Sequence, residues 1–163
     1  MQRLTLEAIR NFNLGSSDII ECCIHPNSQI IGGQPQGSLV IKLSDEIVVK
    51  FGAGVSVEEA DNQRKAYELL DGGVVRVPRV VRYFTRTFDH TSLPIGYLVM
   101  EYIYGDILEL LGSHLVDQIV KILSHFSTIR SLRPGLLQTG VSRGLLWDSN
   151  GKPTFKIIKE MEH

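Results

Sequence analysis

The sequence predicts an α+β protein built around an antiparallel sheet. Two runs rich in Val, Ile and Leu, at 38–43 and 46–51, are separated only by Ser44 and Asp45, which indicates a hairpin. One helical pattern follows, then two further strand patterns and a second helix. Because strands and helices do not alternate one by one, this order argues against a parallel sheet of β-α-β units.

The composition is typical of a globular protein that stays inside the cell. Of the 163 residues, 43% are apolar and 21% are charged. The formal net charge is −1, so we expect no binding to nucleic acid or to an anionic membrane. No run approaches the roughly 20 apolar residues that span a bilayer. Cys22 and Cys23 are adjacent, which predicts free thiols, a reducing compartment and a cytoplasmic location.

The region before the hairpin carries weaker patterns. Residues 13–18 are predicted as a loop in which Ser16, Ser17 and Asp18 are candidate N-caps. Residues 18–24 could form either a helix or a strand. The glycine-rich stretch at 32–37 predicts a flexible turn.

The first long helix has a clear beginning and end. Ser56 is a natural N-cap, and Glu59 stands three residues later, as in a capping box. An Asp-Gly-Gly sequence at 71–73 ends the helix. Strands are then predicted at 79–88 and 95–104. Apolar residues at helical spacing predict the second helix at 115–129.

Three stretches together resemble a known family. They are IVVKFG at 47–52, EEADNQRKAYELL at 58–70 and YLVMEYIYG at 97–105, with RVPRV at 76–80. In residue type, order and spacing over 38–148, they resemble the aminoglycoside phosphotransferase/choline kinase-like family, particularly its fungal members. The resemblance implies a protein kinase-like N-terminal lobe in 1–100, with an antiparallel sheet and one helix. A hinge at 101–105 and a partial helical C-terminal lobe in 106–163 would follow.

The resemblance also implies the parent activity, the ATP-dependent phosphorylation of a hydroxyl group on a small molecule. Phosphoryl transfer needs positive charge held near the phosphates. The family's strand lysine corresponds to Lys50, and its helix glutamate corresponds to Glu59. Alternatively, Lys50 is a solvated strand lysine, like Lys42, and Glu59 only caps its helix. Glu58 could take either role, but the string Glu-Ala-Asp-Asn at 59–62 favours Glu59, since the family has Glu-Ala-x-Asn there.

The expected cofactor is therefore ATP, and the resemblance places its adenine at the hinge. Met100 would line the back of the adenine slot, while the Glu101 carbonyl and the Ile103 amide would face the base. The alternative is an ordinary buried strand that ends at Gly105. The turn at 32–37 lacks the G-x-G-x-x-G spacing of a kinase phosphate loop, so a simple flexible turn is favoured there.

The residues that would perform the transfer were not found. The family has a His-Gly-Asp motif, an asparagine five residues after its aspartate, and a second aspartate that binds Mg²⁺. None of the five histidines begins such a motif. Asp148 and Asn150 lie in a turn-rich stretch, which is more typical of a surface hairpin than of a metal site. We therefore expect neither catalytic residues nor metal ligands.

Those absences predict a chain that ends inside the second lobe and does not catalyse transfer. The apolar face of helix 115–129 would then be exposed, and a partner chain is expected to cover it. A non-catalytic nucleotide-binding or scaffold module is the alternative function. An unrelated α+β domain with the same order of strands and helices is a third interpretation.

Overall fold

The α+β class and the antiparallel sheet are confirmed by a computed structural model, which describes residues 15–89, 93–105 and 113–130. The turn around Asp148 and Asn150 lies outside these residues. In chain order, the elements are α1 (Ser16–Ile24), β1 (Gln29–Gly33), β2 (Leu39–Lys42), β3 (Ile47–Gly52), α2 (Val57–Leu69), β4 (Val80–Arg86), β5 (Ile95–Glu101) and α3 (Ser113–Thr128).

The described residues belong to two compact units. The first lies within Met1–Ala60 and Pro78–Gly105, and the second within Asp61–Val77 and Asp106–His163. The first unit therefore contains α1, all five strands and the first turn of α2. The second contains the rest of α2 and α3. No helix in the described part of the chain has both the length and the apolarity to cross a membrane.

The sheet of the first unit has the strand order β1-β2-β3-β5-β4, and every neighbouring pair is antiparallel. The predicted hairpin joins β2 to β3, with the Leu43 amide donating to the Ile47 carbonyl at 2.9 Å. At the middle of β3, Lys50 lies between Val40 of β2 and Leu98 of β5. Side chains of residues paired in this way project from the same side of a sheet.

Each side of the sheet packs against a different helix. On the side that we call the α1 face, Ile19 and Cys23 of α1 cover buried residues of β2, β3 and β5. On the opposite side, the α2 face, Val55 and Ala60 pack against Leu98. Because side chains alternate along a strand, the even-numbered positions of β3 and β5 contribute to the α2 face. The α2 face is the one that carries Lys50.

The segment 18–24, which could have been helix or strand, lies in α1. The predicted N-caps Ser16, Ser17 and Asp18 are wrong, because all three are within the helix, whose N-cap is Gly15. The Asp18 carboxylate instead accepts a hydrogen bond from the Gly15 amide at 2.9 Å. A carboxylate in the first turn satisfies a main-chain donor that the helix itself leaves unpaired.

The glycine-rich turn is shorter than predicted, because Gly32 and Gly33 belong to β1. The turn itself is tight, with the Gln34 amide donating to the Ser38 carbonyl at 3.0 Å. Gly33 has a φ of 95°, which favours glycine, and a Cβ there would collide with the Ser38 carbonyl oxygen. The β1–β2 connection is therefore a hydrogen-bonded hairpin turn.

The second unit contains the predicted second helix as α3, and α3 presents apolar side chains to solvent. Five of these are 40–59% exposed: Val116, Ile119, Val120, Leu123 and Phe126. Near the helix end, His125 Nε2 accepts a hydrogen bond from the Asp71 amide at 3.0 Å, which fixes the turn after α2. A partner chain on the apolar face remains a prediction.

The two adjacent thiols lie in opposite environments, since Cys22 is exposed and Cys23 is buried. Burial raises the pKa of Cys23 from 9.0 to about 12, with the neighbouring Cys22 adding to the rise. A raised thiol pKa leaves little reactive thiolate at neutral pH.

We expect iodoacetamide at pH 8 to label one thiol of the native chain and both after unfolding in urea, as counted by mass spectrometry.

The control is Cys22→Ser, which we expect to remain unlabelled until it is unfolded. Rapid labelling of this variant in its native state would mean that Cys23 is not packed between α1 and the sheet.

Candidate functional site

Lys50 forms an ion pair with Glu59, as predicted. Its Nζ atom lies 2.5 Å from the Glu59 Oε1 atom. The lysine side chain is 28% exposed and the glutamate side chain is 34% exposed, so the pair lies at the border between core and solvent. Lys50 is therefore paired with a carboxylate and only partly solvated. The ammonium is held on one side and remains partly accessible to an anionic ligand.

Glu59 takes part in two interactions through different groups. Its main-chain amide donates to Ser56 Oγ at 3.3 Å, which caps the start of α2. Its carboxylate accepts the hydrogen bond from Lys50. Helix capping and ion pairing therefore do not compete for the Glu59 side chain. Ser56 accepts a hydrogen bond from the Glu59 main-chain amide, which leaves the carboxylate for Lys50.

The position of Glu59 relative to β3 depends on the loop between β3 and α2. Val55 in this loop is buried, and its carbonyl accepts a hydrogen bond from Tyr83 Oη at 3.3 Å. Gly96 of β5 lies directly beneath this carbonyl, where a Cβ atom would overlap it. Burial, together with the charges of Glu58 and Glu59, raises the pKa of Tyr83, so its hydroxyl remains a donor. β4 and β5 thus fix the loop that delivers Glu59.

Met100 lies on the α2 face, half-buried against the cluster around Leu98. Two valines that the sequence analysis did not single out share this face. Val48 is paired with Met100 and is buried, and Val40 is paired with Lys50 and is half-buried. The predicted hairpin could have identified them, because residues two apart on a strand lie on the same face and Val48 precedes Lys50 by two residues. Together these side chains form an apolar surface next to the ammonium.

Glu101 ends β5 and is tied to the residue before β4. Its amide donates to the Arg79 carbonyl at 2.9 Å, and its carboxylate accepts from the Arg79 amide at 3.2 Å. The prediction from the sequence concerned only the main-chain carbonyl of Glu101, which would face the adenine base. The side chain has a structural role as well, because it satisfies the main chain where β4 begins.

Beyond Glu101 the chain leaves the sheet. Strand β5 is therefore shorter than the predicted 95–104, and β4 is likewise shorter than 79–88. The Tyr102 amide still donates to the Glu46 carbonyl at 2.7 Å. Ile103 follows and is half-buried. Within the described residues, the Ile103 amide donates to no main-chain carbonyl.

Lys42, taken in the sequence analysis as an example of a solvated strand lysine, is instead 17% exposed. Its Nζ atom bonds to Asp45 Oδ1 at 3.0 Å and lies 4.5 Å from the centre of the Tyr102 ring. The same atom lies 5.3 Å from the Tyr104 ring. The hydrogen bond to Asp45 raises the pKa of Lys42, so the ammonium remains charged at neutral pH and above.

No cluster with the composition of a metal site is present in residues 15–89, 93–105 and 113–130: no three His, Cys, Asp or Glu side chains come together there. Asp148 and Asn150, which the sequence favours as part of a surface hairpin and not as a metal site, lie outside these ranges.

No protein-family model, curated protein or solved structure matches this chain. The interpretation of the site therefore depends on the geometry of the chain's own residues.

Proposed function

We propose that the first unit binds ATP on its α2 face, as the nucleotide-binding lobe of an aminoglycoside phosphotransferase/choline kinase-like protein. The observation that carries this proposal is the Lys50–Glu59 ion pair. In protein kinases, a lysine on the third strand contacts the nucleotide phosphates and pairs with a glutamate of the next helix. The same arrangement occurs here, with the lysine on β3 and the glutamate on α2.

The order of the sheet supports the same proposal. Strand β3 lies between β2 and β5, so the lysine shares its face with both neighbours. Glu101 lies three residues beyond Leu98, the cross-strand partner of Lys50. At about 3.3 Å per residue, Lys50 and the end of β5 are about 10 Å apart along the strands. That separation leaves room for a ribose between a base and its phosphates.

The surface between these two points suits an adenine ring. Nucleotide and cofactor sites are mostly apolar, with a few polar groups that orient the ligand. Val40, Val48 and Met100 would contact the ring, while the Glu101 carbonyl and the Ile103 amide would bind its polar edge. Lys50 would hold the phosphates.

The proposal concerns binding and leaves transfer aside. No histidine in the sequence begins the His-Gly-Asp motif that the family uses for catalysis. This observation favours, as the second candidate, a non-catalytic module that binds a nucleotide and serves as a scaffold. Both candidates require the same nucleotide contacts and differ only in whether a catalytic segment completes the site.

The test is calorimetric titration of the full chain with ATP, with and without Mg²⁺. We expect Lys50→Met to weaken binding by about tenfold to a hundredfold, because it removes a charged hydrogen-bond donor to the phosphates. Glu59→Gln should weaken it less, since the ammonium remains but is no longer held by a charge. A partly exposed ion pair adds only about 0–1 kcal/mol to stability, so both variants should fold.

The matched control is Lys65→Met, which removes a lysine from an exposed ion pair with Glu68 on α2. It should bind ATP with the affinity of the wild type. A folded wild-type chain that binds no ATP would contradict the proposal, as would equal affinities for wild type and Lys50→Met.

A further inference from the structure

The segment 102–105 has no regular secondary structure, although it follows directly from β5. Among the described residues, its main-chain anchor to the sheet is the hydrogen bond from the Tyr102 amide to Glu46. Beyond Tyr102, the described contacts of this segment are made by side chains. Both tyrosines that flank Ile103 are engaged in the same cluster.

That cluster is centred on the ammonium group of Lys42. The Tyr102 and Tyr104 rings lie 4.7 Å apart in an edge-to-face arrangement. Both lie within cation–π distance of Lys42 Nζ, and Asp45 also binds the ammonium. Such contacts are strongest when the cation is partly removed from water. The low exposure of the Lys42 side chain meets that condition, although the Tyr104 ring itself is exposed.

We propose that Lys42 is a positioning residue for nucleotide binding, because it fixes the peptide groups on both sides of Ile103. With residues 102 and 104 attached to one ammonium on β2, the Ile103 amide between them keeps a single orientation. An oriented donor binds its ligand without the loss of entropy that ordering a mobile segment would require. This inference rests on the proposed function, since it assigns Lys42 to the same nucleotide site.

The experiment compares Lys42→Met, Lys42→Arg and Asp45→Asn in the full chain. Two quantities are measured: ATP affinity by calorimetry, and hydrogen exchange of the Tyr102 amide by NMR without nucleotide. Lys42→Met keeps an apolar stem but removes the charge, so we expect faster exchange and about three- to tenfold weaker ATP binding. Lys42→Arg restores a cation that stacks on aromatic rings and pairs with Asp45, and should return both values towards the wild type.

Asp45→Asn separates the ion pair from the ring contacts. It removes the carboxylate charge and keeps the cation over the rings, so its effect should be smaller than that of Lys42→Met. Unchanged exchange in Lys42→Met would overturn the positioning role. Weaker ATP binding with unchanged exchange would do so as well, because it would show that Lys42 contacts the ligand directly.

Faster exchange with unchanged ATP affinity would show that the cluster orders the segment without serving the ligand, and would also overturn the inference. If the wild type binds no ATP, the proposed function fails, and the inference fails with it. If the wild type binds ATP and Lys42→Met binds it equally well, only the inference fails.

Discussion

Gly96→Ala is expected to destabilise the first unit by about 3 kcal/mol or more, at the upper end of what overpacking a close contact costs. A Cβ atom at position 96 would overlap the Val55 carbonyl oxygen and come within 3.2 Å of Tyr83 Oη. The obstacle is largely main chain, which cannot rotate away as the end of a flexible side chain can. The measurement is urea unfolding followed by circular dichroism, with midpoint and slope compared to the wild type.

The same substitution should affect the candidate site. Val55 belongs to the loop before α2, so displacing it moves Glu59 away from Lys50, and ATP binding should weaken with stability. The control is Gly54→Ala, in the same loop, where a Cβ atom would meet nothing within 4 Å. We expect that change to remain within about 0.5 kcal/mol of the wild type. Equal stability of the two variants would contradict the described contact between β5 and the loop.

Tyr97→Ala is the second substitution with a large expected effect, about 3–5 kcal/mol of unfolding free energy. Tyr97 is 2% exposed and lies on the α1 face of β5. Its ring is stacked between two others, 5.8 Å from Phe51 and 4.9 Å from Phe84, with planes nearly parallel. Removing the central ring leaves a cavity and breaks both stacking contacts. Urea unfolding of the purified variant measures the loss.

The matched control is Tyr67→Ala, because Tyr67 lies on α2 and is 47% exposed. Its effect should be within about 0.5 kcal/mol, since alanine also favours the helix. Tyr97→Phe keeps the ring and should retain most of the stability. A small loss for Tyr97→Ala, comparable to that for Tyr67→Ala, would mean that the three rings do not form a packed core.

Local signals explain what the sequence predicted correctly. The β2–β3 hairpin follows from two apolar runs that only two residues separate. The start of α2 follows from Ser56 and its three-residue spacing to Glu59. The ion pair of Glu59 with Lys50 was expected from the family resemblance, and it joins residues nine positions apart, across one loop. The hairpin and the helix start can be recognised in the sequence itself, because the residues that form them are close together in the chain.

Features that depend on distant residues were not predicted. Strand β1 ends in two glycines that indicate a turn, and only its pairing with β2 makes it a strand. Lys42 looks like any exposed lysine until the fold brings Tyr102 and Tyr104 against it. Sixty or more residues separate the partners, and no local pattern records the contact.

The ambiguity at 18–24 has a different cause. In a short apolar segment, helical and strand periodicities are hard to distinguish. Ile19 and Cys23 lie four residues apart, and both are buried while Cys22 is exposed. A four-residue spacing of buried side chains is typical of a helix. The sequence alone does not show which side chains are buried, because the packing of α1 against the sheet determines it.

The attachment of α2 through the Ser56 hydroxyl and the Glu59 main chain has an evolutionary consequence. Any amino acid except proline offers that amide, so the helix start survives most replacements at position 59. The carboxylate, in contrast, binds Lys50 among the described residues. A lineage under relaxed selection could therefore exchange the glutamate and retain its fold. Descendants that had lost the proposed nucleotide site would lose at most about 1 kcal/mol of stability with the ion pair, and natural selection could retain them for another task.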